Sequence, residues 1–312
     1  MTRALTVLAA GPLTTVQDAG RPGQAALGIV RSGAADRAVY RQANRLVGNP
    51  EHLAVLEVTY GGLAVRAEAD LLVVTTGARC AGPFPHAAPT PLRRGTELRL
   101  GPPGTGLRTY LAVRGGIDVP PVLGSRATDV LSGLGPAVVV DGAVLPVGPP
   151  VDPMPGVDVA PVPEIPGGEV TVTVLAGPRS DWFGDAGWAA LTGQAWTVTN
   201  ESNRVGLRLD GAPLERVRGG ELPSEGMVRG ALQVPPSGLP VLFLADHPVT
   251  GGYPVIGYVT DGDVDRCAQL RPGQALRLRG TGAGRGHRAA PRRRSVWPGR
   301  SWPQRSTSAS ST

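Results

Sequence analysis

The chain has 312 residues, of which 41% are apolar, so it is long enough for two domains with hydrophobic cores. It contains 45 glycines, 32 prolines and 31 basic residues, and every basic residue is an arginine. The lack of lysine excludes a Walker A loop, a Schiff-base lysine and a covalently attached biotin on this chain. Anionic groups must therefore be held by arginines, backbone N–H groups or helix N-termini.

The formal net charge of +6 originates in the C-terminal segment, where seven arginines and no acid follow Thr281. The rest of the chain is close to neutral and shows no recognition helix, zinc-knuckle spacing or alternation of aromatic and basic residues. A nucleic-acid partner is therefore not expected. Segment 281–312 lacks apolar periodicity and is rich in Arg, Ser, Gly and Pro, which predicts a disordered tail.

Cysteine usage and hydropathy indicate the compartment. Cys80 and Cys267 have neither redox nor metal-ligand spacing, which is typical of free thiols in a reducing environment; the alternative is a single disulfide between them. The N-terminal apolar run, residues 4–10, is too short for a signal peptide, and no segment approaches the length of a membrane span. We therefore expect a cytoplasmic protein with no membrane association.

In chain order, a strand at residues 5–9 and a Gly11-Pro12 turn come first. The segment from Ser32 to Pro50 is the best helix candidate, with Ser32 as a cap, and with glycine and proline at its end. Its predicted apolar face consists of Val39, Ala43, Leu46 and Val47. Strand-like sequence rich in glycine follows. Eight prolines between residues 146 and 168 cannot lie inside a sheet or a helix, so this interval is predicted to be a linker.

Beyond the linker the sequence partly repeats itself. TVLAAGPLTTVQDAG from Thr6 aligns with TVLAGPRSDWFGDAG from Thr173, and LGPPGTGLRTYLAV from Leu100 resembles LQVPPSGLPVLFLA from Leu232. Two matches in the same order predict a duplicated β-rich unit whose copies face each other across a cleft. We place the domains at residues 1–160 and 168–280, before the tail at 281–312.

Polar side chains between short apolar runs, with glycine or proline at most junctions, mark candidate site residues from Thr199 to Pro254. The candidate catalytic residues are Arg204, Glu225 and Asp246. Candidates for binding substrate or phosphate are Ser202, Asn203, Gly251 and Gly252, and, in the first half, Gln17, Asp18, Arg21, Ser125, Arg126 and Asp129. Each arginine could alternatively form a structural ion pair.

Metal chemistry is not predicted. The four histidines lack metal-ligand spacing. Asp261, Asp263 and Asp265 begin like a calcium loop, but an arginine stands where that loop needs glycine, so a solvated turn is predicted. Asp246 and His247 are adjacent on a strand and should point to opposite faces, which argues against a direct dyad.

Several motifs resemble one known family: QDAGRPG, SGAADRAVYRQANRLVGNP, EVTYGG, AVRGGIDVPPVLGSRATD, SNRVGLRLDG, ELPSEGMVRGALQVPPSG and ADHPVTGGYPV. Together they are similar to the KipA family, whose members are described as the C subunit of 5-oxoprolinase, allophanate hydrolase subunit 2 and the biotin-dependent carboxyltransferase domain of urea carboxylase. The resemblance covers about residues 4–280. It implies a mainly β fold of two tandem cyclophilin-like β-barrel domains with a few short helices.

The resemblance implies a function within an enzyme complex, the ATP-dependent 5-oxoprolinase. With the KipI-like B subunit and the A subunit, and with ATP and Mg²⁺ shared with those partners, such a complex opens 5-oxo-L-proline to L-glutamate. One alternative is the carboxyltransferase component of a urea carboxylase or allophanate-type system that uses biotin on another chain. Another is a non-catalytic regulator that binds a KipI-like kinase inhibitor.

Overall fold

The structure is a computed structural model, and it describes residues 3–162 and 164–281. Over these residues the chain is mainly β with three α-helices and two 3₁₀-helical turns, as the sequence predicts. The predicted tail lies outside the described residues from position 282 onward. None of the helices within the described ranges is long and apolar enough to cross a membrane.

The first half forms two antiparallel sheets around a common core. Their strands are β1 (Ala4–Ala10), β2 (Leu13–Gln17), β3 (Val55–Thr59), β4 (Leu63–Ala67), β5 (Leu71–Gly77), β6 (Thr90–Leu92), β7 (Glu97–Arg99), β8 (Arg108–Val113) and β9 (Val144–Pro146). One sheet has the order β7-β4-β1-β9 and the other β2-β3-β8-β5-β6. Because β8 lies between β3 and β5, all of its residues are buried. Its outer face is covered by a helix.

That helix, α1 (Arg37–Leu46), is shorter than the predicted one. Asp36 is its N-cap and accepts a hydrogen bond from the Val39 backbone N–H (3.3 Å), so the prediction that Ser32 caps it was wrong. Ser32 is buried instead, and its hydroxyl donates to the Asp246 carboxylate (2.6 Å). Three members of the predicted apolar face are buried, namely Ala43, Leu46 and Val47.

The second half contains a closed barrel with the strand order β10-β17-β14-β15-β12-β11-β18. Its strands are β10 (Val170–Ala176), β11 (Ala195–Val198), β12 (Gly206–Asp210), β14 (Ala231–Gln233), β15 (Val241–Phe243), β17 (Val255–Val259) and β18 (Ala275–Gly280). A small ribbon pairs β13 (Glu225–Gly226) with β16 (Thr250–Gly251). Closure buries a second core around Trp196, Phe183 and Leu276. The two cores lie in one compact unit that runs to Thr281.

The second half departs from the predicted repeat and from the predicted turn. After β10 the chain forms a 3₁₀ turn and α2 (Gly184–Gly193), whereas the matching segment of the first half continues into β2. The aspartates predicted to form a solvated turn belong to α3 (Asp261–Cys267). Acids in its first turn favour a helix start, and Val264 and Cys267 anchor it in the core.

Candidate functional site

A cluster of buried charges joins the two halves; we call Glu57, Arg108, Arg204 and Asp246 the junction cluster. Arg204 lies just before β12 and is 1% exposed. Its Nε donates to Asp246 Oδ2 (2.8 Å), its Nη2 to Asp246 Oδ1 (3.1 Å), and its Nη1 to the Glu57 carboxylate of the first half. Arg204 therefore connects the second half directly to the first.

Glu57 occupies the middle of β3 and is completely surrounded by protein. Besides Arg204, it accepts hydrogen bonds from the Tyr110 hydroxyl (2.8 Å) and the Ala35 backbone N–H (2.9 Å), and Arg108 lies 3.4 Å away. Burial alone would raise the pKa of the Glu57 carboxyl, but Arg204 and Arg108 outweigh burial and lower it. Glu57 is therefore an ionised, paired carboxylate within the core.

Asp246 is also fully buried, and its oxygens are occupied. In addition to Arg204, it accepts from the Ser32 hydroxyl (2.6 Å) and from the Val130 backbone N–H (3.1 Å). The structure thus brings together two of the candidate catalytic residues, Arg204 and Asp246, as a satisfied ion pair. Their positions suit residues that hold the two halves in register.

The third candidate catalytic residue, Glu225, lies apart from the junction cluster. It sits on β13 opposite Gly251, and its carboxylate accepts from Arg179 Nε (3.1 Å) in a partly exposed ion pair. The hydrogen bond from Arg179 lowers the pKa of Glu225. Gly252 follows at the exposed end of the same ribbon.

Three of the first-half candidates converge on one loop contact. The Asp18 carboxylate accepts from the Ser125 hydroxyl (2.7 Å), the Arg126 backbone N–H (2.6 Å) and the Gly20 backbone N–H (2.7 Å). These hydrogen bonds fix the loop after β2 against the loop that contains residues 125–129. Asp18 and Ser125 therefore order the backbone that positions Arg21.

The remaining candidates are distributed among local contacts. Gln17 donates to the Thr128 carbonyl (2.8 Å), and Asp129 accepts from the Leu131 backbone N–H (2.9 Å). In the second half, Ser202 accepts from the Arg208 backbone N–H (3.0 Å) and Asn203 from the Val205 backbone N–H (2.8 Å). The last two stabilise the turn before Arg204 and β12.

A cavity of about 550 Å³ opens between the two halves, and we call it the arginine cleft. Four guanidinium groups line it, from Arg21, Arg31, Arg37 and Arg229, together with His247, Tyr258 and one acid, Asp261. Of all the candidates selected from the sequence, Arg21 is the one that lines this cavity. Cations from both halves therefore converge on one space.

Two of these arginines have unused hydrogen-bond donors. Arg21 is 1% exposed; its Nη2 donates to the Ala127 carbonyl (2.5 Å), but its Nε and Nη1 have no partner within residues 3–162 and 164–281. Arg229 donates from Nη2 to the Ala35 carbonyl (2.8 Å) and to Asp265 (2.5 Å), while its Nε has no partner in the same ranges. Buried donors without acceptors are costly, and the Nε atoms of Arg108 and Arg216 are also unpartnered among the described residues, so the feature is not confined to the cleft.

Arg37 is another cleft arginine, and other arginines lie close to its charge. It begins α1, and its backbone N–H donates to Asp265 of α3 (3.0 Å), so its position is fixed by the second half. Burial, and then repulsion from Arg229 and Arg31, lower the pKa of the Arg37 guanidinium to about 10. Asp261 and Asp265 act in the opposite direction, but four arginines and one acid line the cleft, so its lining carries excess positive charge.

His247 supplies a group that can accept a proton. Its Nδ1 lies 2.8 Å from the Pro248 carbonyl, which can only accept, so Nδ1 carries the proton and Nε2 is left as an acceptor. Burial lowers the pKa of His247, so the imidazole is neutral at pH 7. Phe243 stacks on the ring and fixes its plane. The cleft thus contains anion-binding groups and a base.

Sequence reasoning did not select Glu57 or Arg37, and although Arg229 and His247 lie in the polar stretch from Thr199 to Pro254, they were not among its candidate residues. For Glu57 a signal exists, since a carboxylate between Val55, Leu56 and Val58 on a strand with no polar alternation must be buried and paired. Arg37 and Arg229 carry no such signal, because what distinguishes them is their meeting across the two halves.

Comparison with known proteins agrees with this architecture. The carboxyltransferase domain model, subdomains A and B, matches residues 27–280, so the chain belongs to the carboxyltransferase domain family. It is 38% identical over 280 residues to the C subunit of 5-oxoprolinase from Escherichia coli (strain K12), covering 87% of this chain and 89% of the relative.

Larger proteins contain a similar region. Urea amidolyase of Lachancea kluyveri is 32% identical over 309 residues, which cover 88% of this chain and 17% of that protein. The crystal structure of TTHA0988 matches with a TM-score of 0.81 and 34% identity, covering 89% of this chain and 56% of that one. The chain thus spans about half of the TTHA0988 chain and a small part of the amidolyase.

Proposed function

We propose that the chain is one component of an ATP-dependent 5-oxoprolinase, which opens the lactam of 5-oxo-L-proline to L-glutamate as a complex of several proteins. The relationship to the C subunit of 5-oxoprolinase over nearly the whole length of both chains supports this proposal. The observation that carries it is the arginine cleft, because the substrate is a carboxylate and its activated form bears a phosphoryl group.

The cleft offers the chemistry that ring opening needs. A lactam is a poor electrophile, and phosphorylation of its oxygen makes the ring carbon open to attack by water. ATP, bound with Mg²⁺ in the complex, would supply that phosphoryl group. On this chain, the cleft arginines hold the anionic groups of the substrate, and His247 Nε2 accepts a proton from the attacking water. That proton goes to the ring nitrogen as the C–N bond breaks, and a second water then releases inorganic phosphate from the acyl phosphate that is left, which gives glutamate.

The residues of this chain do not supply every group that the reaction needs, so the activity should depend on partner proteins. Among the described residues, no cluster of three or more His, Cys, Asp or Glu side chains could hold a metal ion. The sequence has no nucleotide-binding motif, and the cleft's donors are guanidinium groups. We therefore propose that ATP and Mg²⁺ are shared with the KipI-like B subunit and the A subunit, in a cytoplasmic complex.

Within this proposal the candidate residues have different tasks. Arg204 and Asp246 position the two halves, because both are buried and fully bonded. Arg21 binds the substrate directly. Asp18 and Ser125 hold the Arg21 loop, and the ribbon with Glu225, Gly251 and Gly252 lies next to Met227 of the cleft wall.

Reconstitution tests the proposal. The purified chain alone should show little ATP hydrolysis that depends on 5-oxoproline. Addition of a KipI-like B subunit should reveal that hydrolysis, and glutamate formation should also require the A subunit. Robust turnover by the single chain, or no turnover by the full set, would contradict the proposal.

A carboxyltransferase function is the second candidate, because the urea amidolyase relative matches 88% of the chain. Biotin would then be carried by another protein, since this chain has no lysine. Release of biotin-bound carboxylate on addition of the chain, with no effect of 5-oxoproline, would favour this candidate. Inhibition of a kinase-inhibitor partner without any turnover would instead favour the regulatory alternative.

A further inference from the structure

The two halves contribute different parts of the arginine cleft. Arg21, Arg31 and Arg37 come from the first half, whereas Arg229 and His247 come from the second. The reaction proposed for the cleft requires a substrate held by arginines to be aligned with the imidazole that takes a proton. A contact that fixes one half against the other beside the cleft would therefore set that alignment.

A hydrogen bond between the halves has both of its ends beside the cleft. The Ser32 hydroxyl donates to Asp246 Oδ1 (2.6 Å), and both residues are buried. Ser32 directly follows Arg31, and Asp246 directly precedes His247. Because Arg31 and His247 both line the cleft, this hydrogen bond connects a first-half wall of the cleft to the base in the second half.

The backbone of Ser32 is strained. Its φ of 54° lies in the left-handed region, which glycine adopts readily and which costs other residues about 1–3 kcal/mol. A glycine at position 32 would avoid that cost, so what serine adds there is its hydroxyl. Strain of this kind persists where the surrounding structure determines the conformation, and it is concentrated at functional sites. The strained conformation at Ser32 thus accompanies a specific contact, the hydrogen bond to Asp246.

The same conformation fixes the backbone that carries Arg21. The Arg31 carbonyl, just before Ser32, accepts a hydrogen bond from the Arg21 backbone N–H (2.8 Å). Arg31 Nε in turn donates to the Ala19 carbonyl (3.0 Å). The two segments lie so close together that a Cβ on Gly20 would stand 2.4 Å from the Arg31 carbonyl oxygen. A shift of Ser32 would therefore be transmitted to both Arg21 and Arg31.

We propose that Ser32 is a positioning residue, whose hydroxyl aligns the cleft arginines of the first half with His247 by holding Asp246. The proposal rests on the proposed function for the reaction in which the alignment is measured. Ser32 is buried and acts through its neighbours, so its role is to place groups that touch the substrate and not to touch the substrate itself.

Two substitutions remove the hydroxyl but differ in backbone strain. Ser32→Ala keeps the strained φ, whereas Ser32→Gly relieves it, so the glycine variant should have the higher melting temperature of the two. If the hydroxyl sets the alignment, both variants should lose about tenfold in kcat of the assembled complex, while KM for 5-oxoproline changes less than about twofold. If the loss follows stability instead, so that Ser32→Gly keeps the parent kcat, the proposal is overturned.

Thr6→Ala is the matched control. The Thr6 hydroxyl also donates to a carboxylate, that of Glu68, over the same distance (2.6 Å), but this hydrogen bond lies within the first half. Thr6→Ala should therefore keep the parent kcat. A loss of kcat equal to that of the Ser32 variants would overturn the proposal, because loss of such a hydrogen bond anywhere in the chain would then suffice.

Histidine NMR of the full chain supplies a readout that does not depend on turnover. The His247 resonance, assigned by its loss in His247→Gln, should shift by more than its linewidth in both Ser32 variants and stay in place in Thr6→Ala. If the parent complex does not turn over 5-oxoproline, the proposed function fails and this resonance decides: a shift supports the positioning role, and no shift overturns it. If the complex is active but the Ser32 variants keep the parent kcat, the positioning role fails and the proposed function stands.

Discussion

The junction cluster and the arginine cleft are built from the same side chain, yet they differ in charge balance. In the junction cluster, Glu57 and Asp246 neutralise Arg204, and its donors are used. In the cleft, Arg21 is as buried as Arg204, but no acid lies within ion-pair distance of it among the described residues. Burial is similar in both places, so burial does not distinguish a structural arginine from a ligand-binding one. The difference is whether the protein itself supplies the counter-charge.

The largest effect on the free energy of unfolding should come from a substitution in the junction cluster. Arg204→Met would leave Glu57 and Asp246 as buried carboxylates without their main partner, and loss of one member of a buried pair costs about 3–5 kcal/mol. Urea denaturation should therefore show a loss of this size in the free energy of unfolding. A loss below about 1 kcal/mol would mean that the two halves do not depend on Arg204.

In the cleft, a substitution should affect activity rather than stability. His247→Gln removes the neutral imidazole but keeps a polar side chain, and loss of a general base typically costs about a hundredfold in rate, or about 2.7 kcal/mol. The assembled complex should lose activity by that factor while its melting temperature changes little. Because the pKa of His247 is lowered from its usual 6.5, the fall in parent activity at acid pH should have its midpoint below pH 6.5.

An equal loss of activity and stability in His247→Gln would argue that the imidazole is only a packing group against Phe243. An acid-side midpoint of parent activity above pH 6.5 would argue that a group other than His247 is the base.

Asp36 should make the free energy of unfolding depend on pH. Burial is the main cause that raises the pKa of Asp36 from 3.8 to about 7, and Gln269 of the second half donates to its carboxylate (2.9 Å). The folded protein therefore keeps a proton that the unfolded chain loses. The stabilising contribution of Asp36 is fully present below pH 3.8 and is lost as pH rises through about 7.

Asp36→Asn should remove this titration and flatten the free energy of unfolding between pH 4 and 7 by up to about 1.4 kcal/mol per pH unit. Urea titrations at several pH values measure the slope. Asp210→Asn, at an exposed position on β12, is the matched control. An unchanged slope in Asp36→Asn would show that Asp36 does not carry the proton.

Two members of the junction cluster, Arg204 and Asp246, could be selected from the sequence. Arg204 and Asp246 were selected because each stands where a strand meets a polar loop, and the fold does bring such loop ends together. Their partner Glu57 lies 147 positions from Arg204 in the chain, and no local pattern encodes that contact. Only the folded structure shows that Glu57 neutralises Arg204. From the sequence, Arg204 could therefore be either a catalytic residue or part of a structural ion pair.

The mainly β architecture and α1 were predictable because glycine and proline punctuate short apolar runs and one segment has helical periodicity. The helix α3 could not be predicted, because alternating aspartates are typical of a turn. Its helical form depends on burial of Val264 and Cys267 and on Asp265 binding the N-terminus of α1. The cleft likewise depends on tertiary placement, because Arg37 and Arg229 meet only after both halves have folded.

The smallest effect should be found at Glu225, which lies outside both regions. Its ion pair with Arg179 is about one-third exposed, with side-chain exposures of 34% and 27%, so water screens it and the pair contributes less than about 1 kcal/mol. Glu225→Gln should therefore change the melting temperature little and reduce the activity of the assembled complex less than His247→Gln does. Comparison with Arg179→Gln isolates the pair, since both variants break the same contact. If Glu225→Gln abolishes activity while Arg179→Gln does not, the carboxylate itself serves the reaction, and charge balance within this chain is then not a sufficient guide to its functional residues.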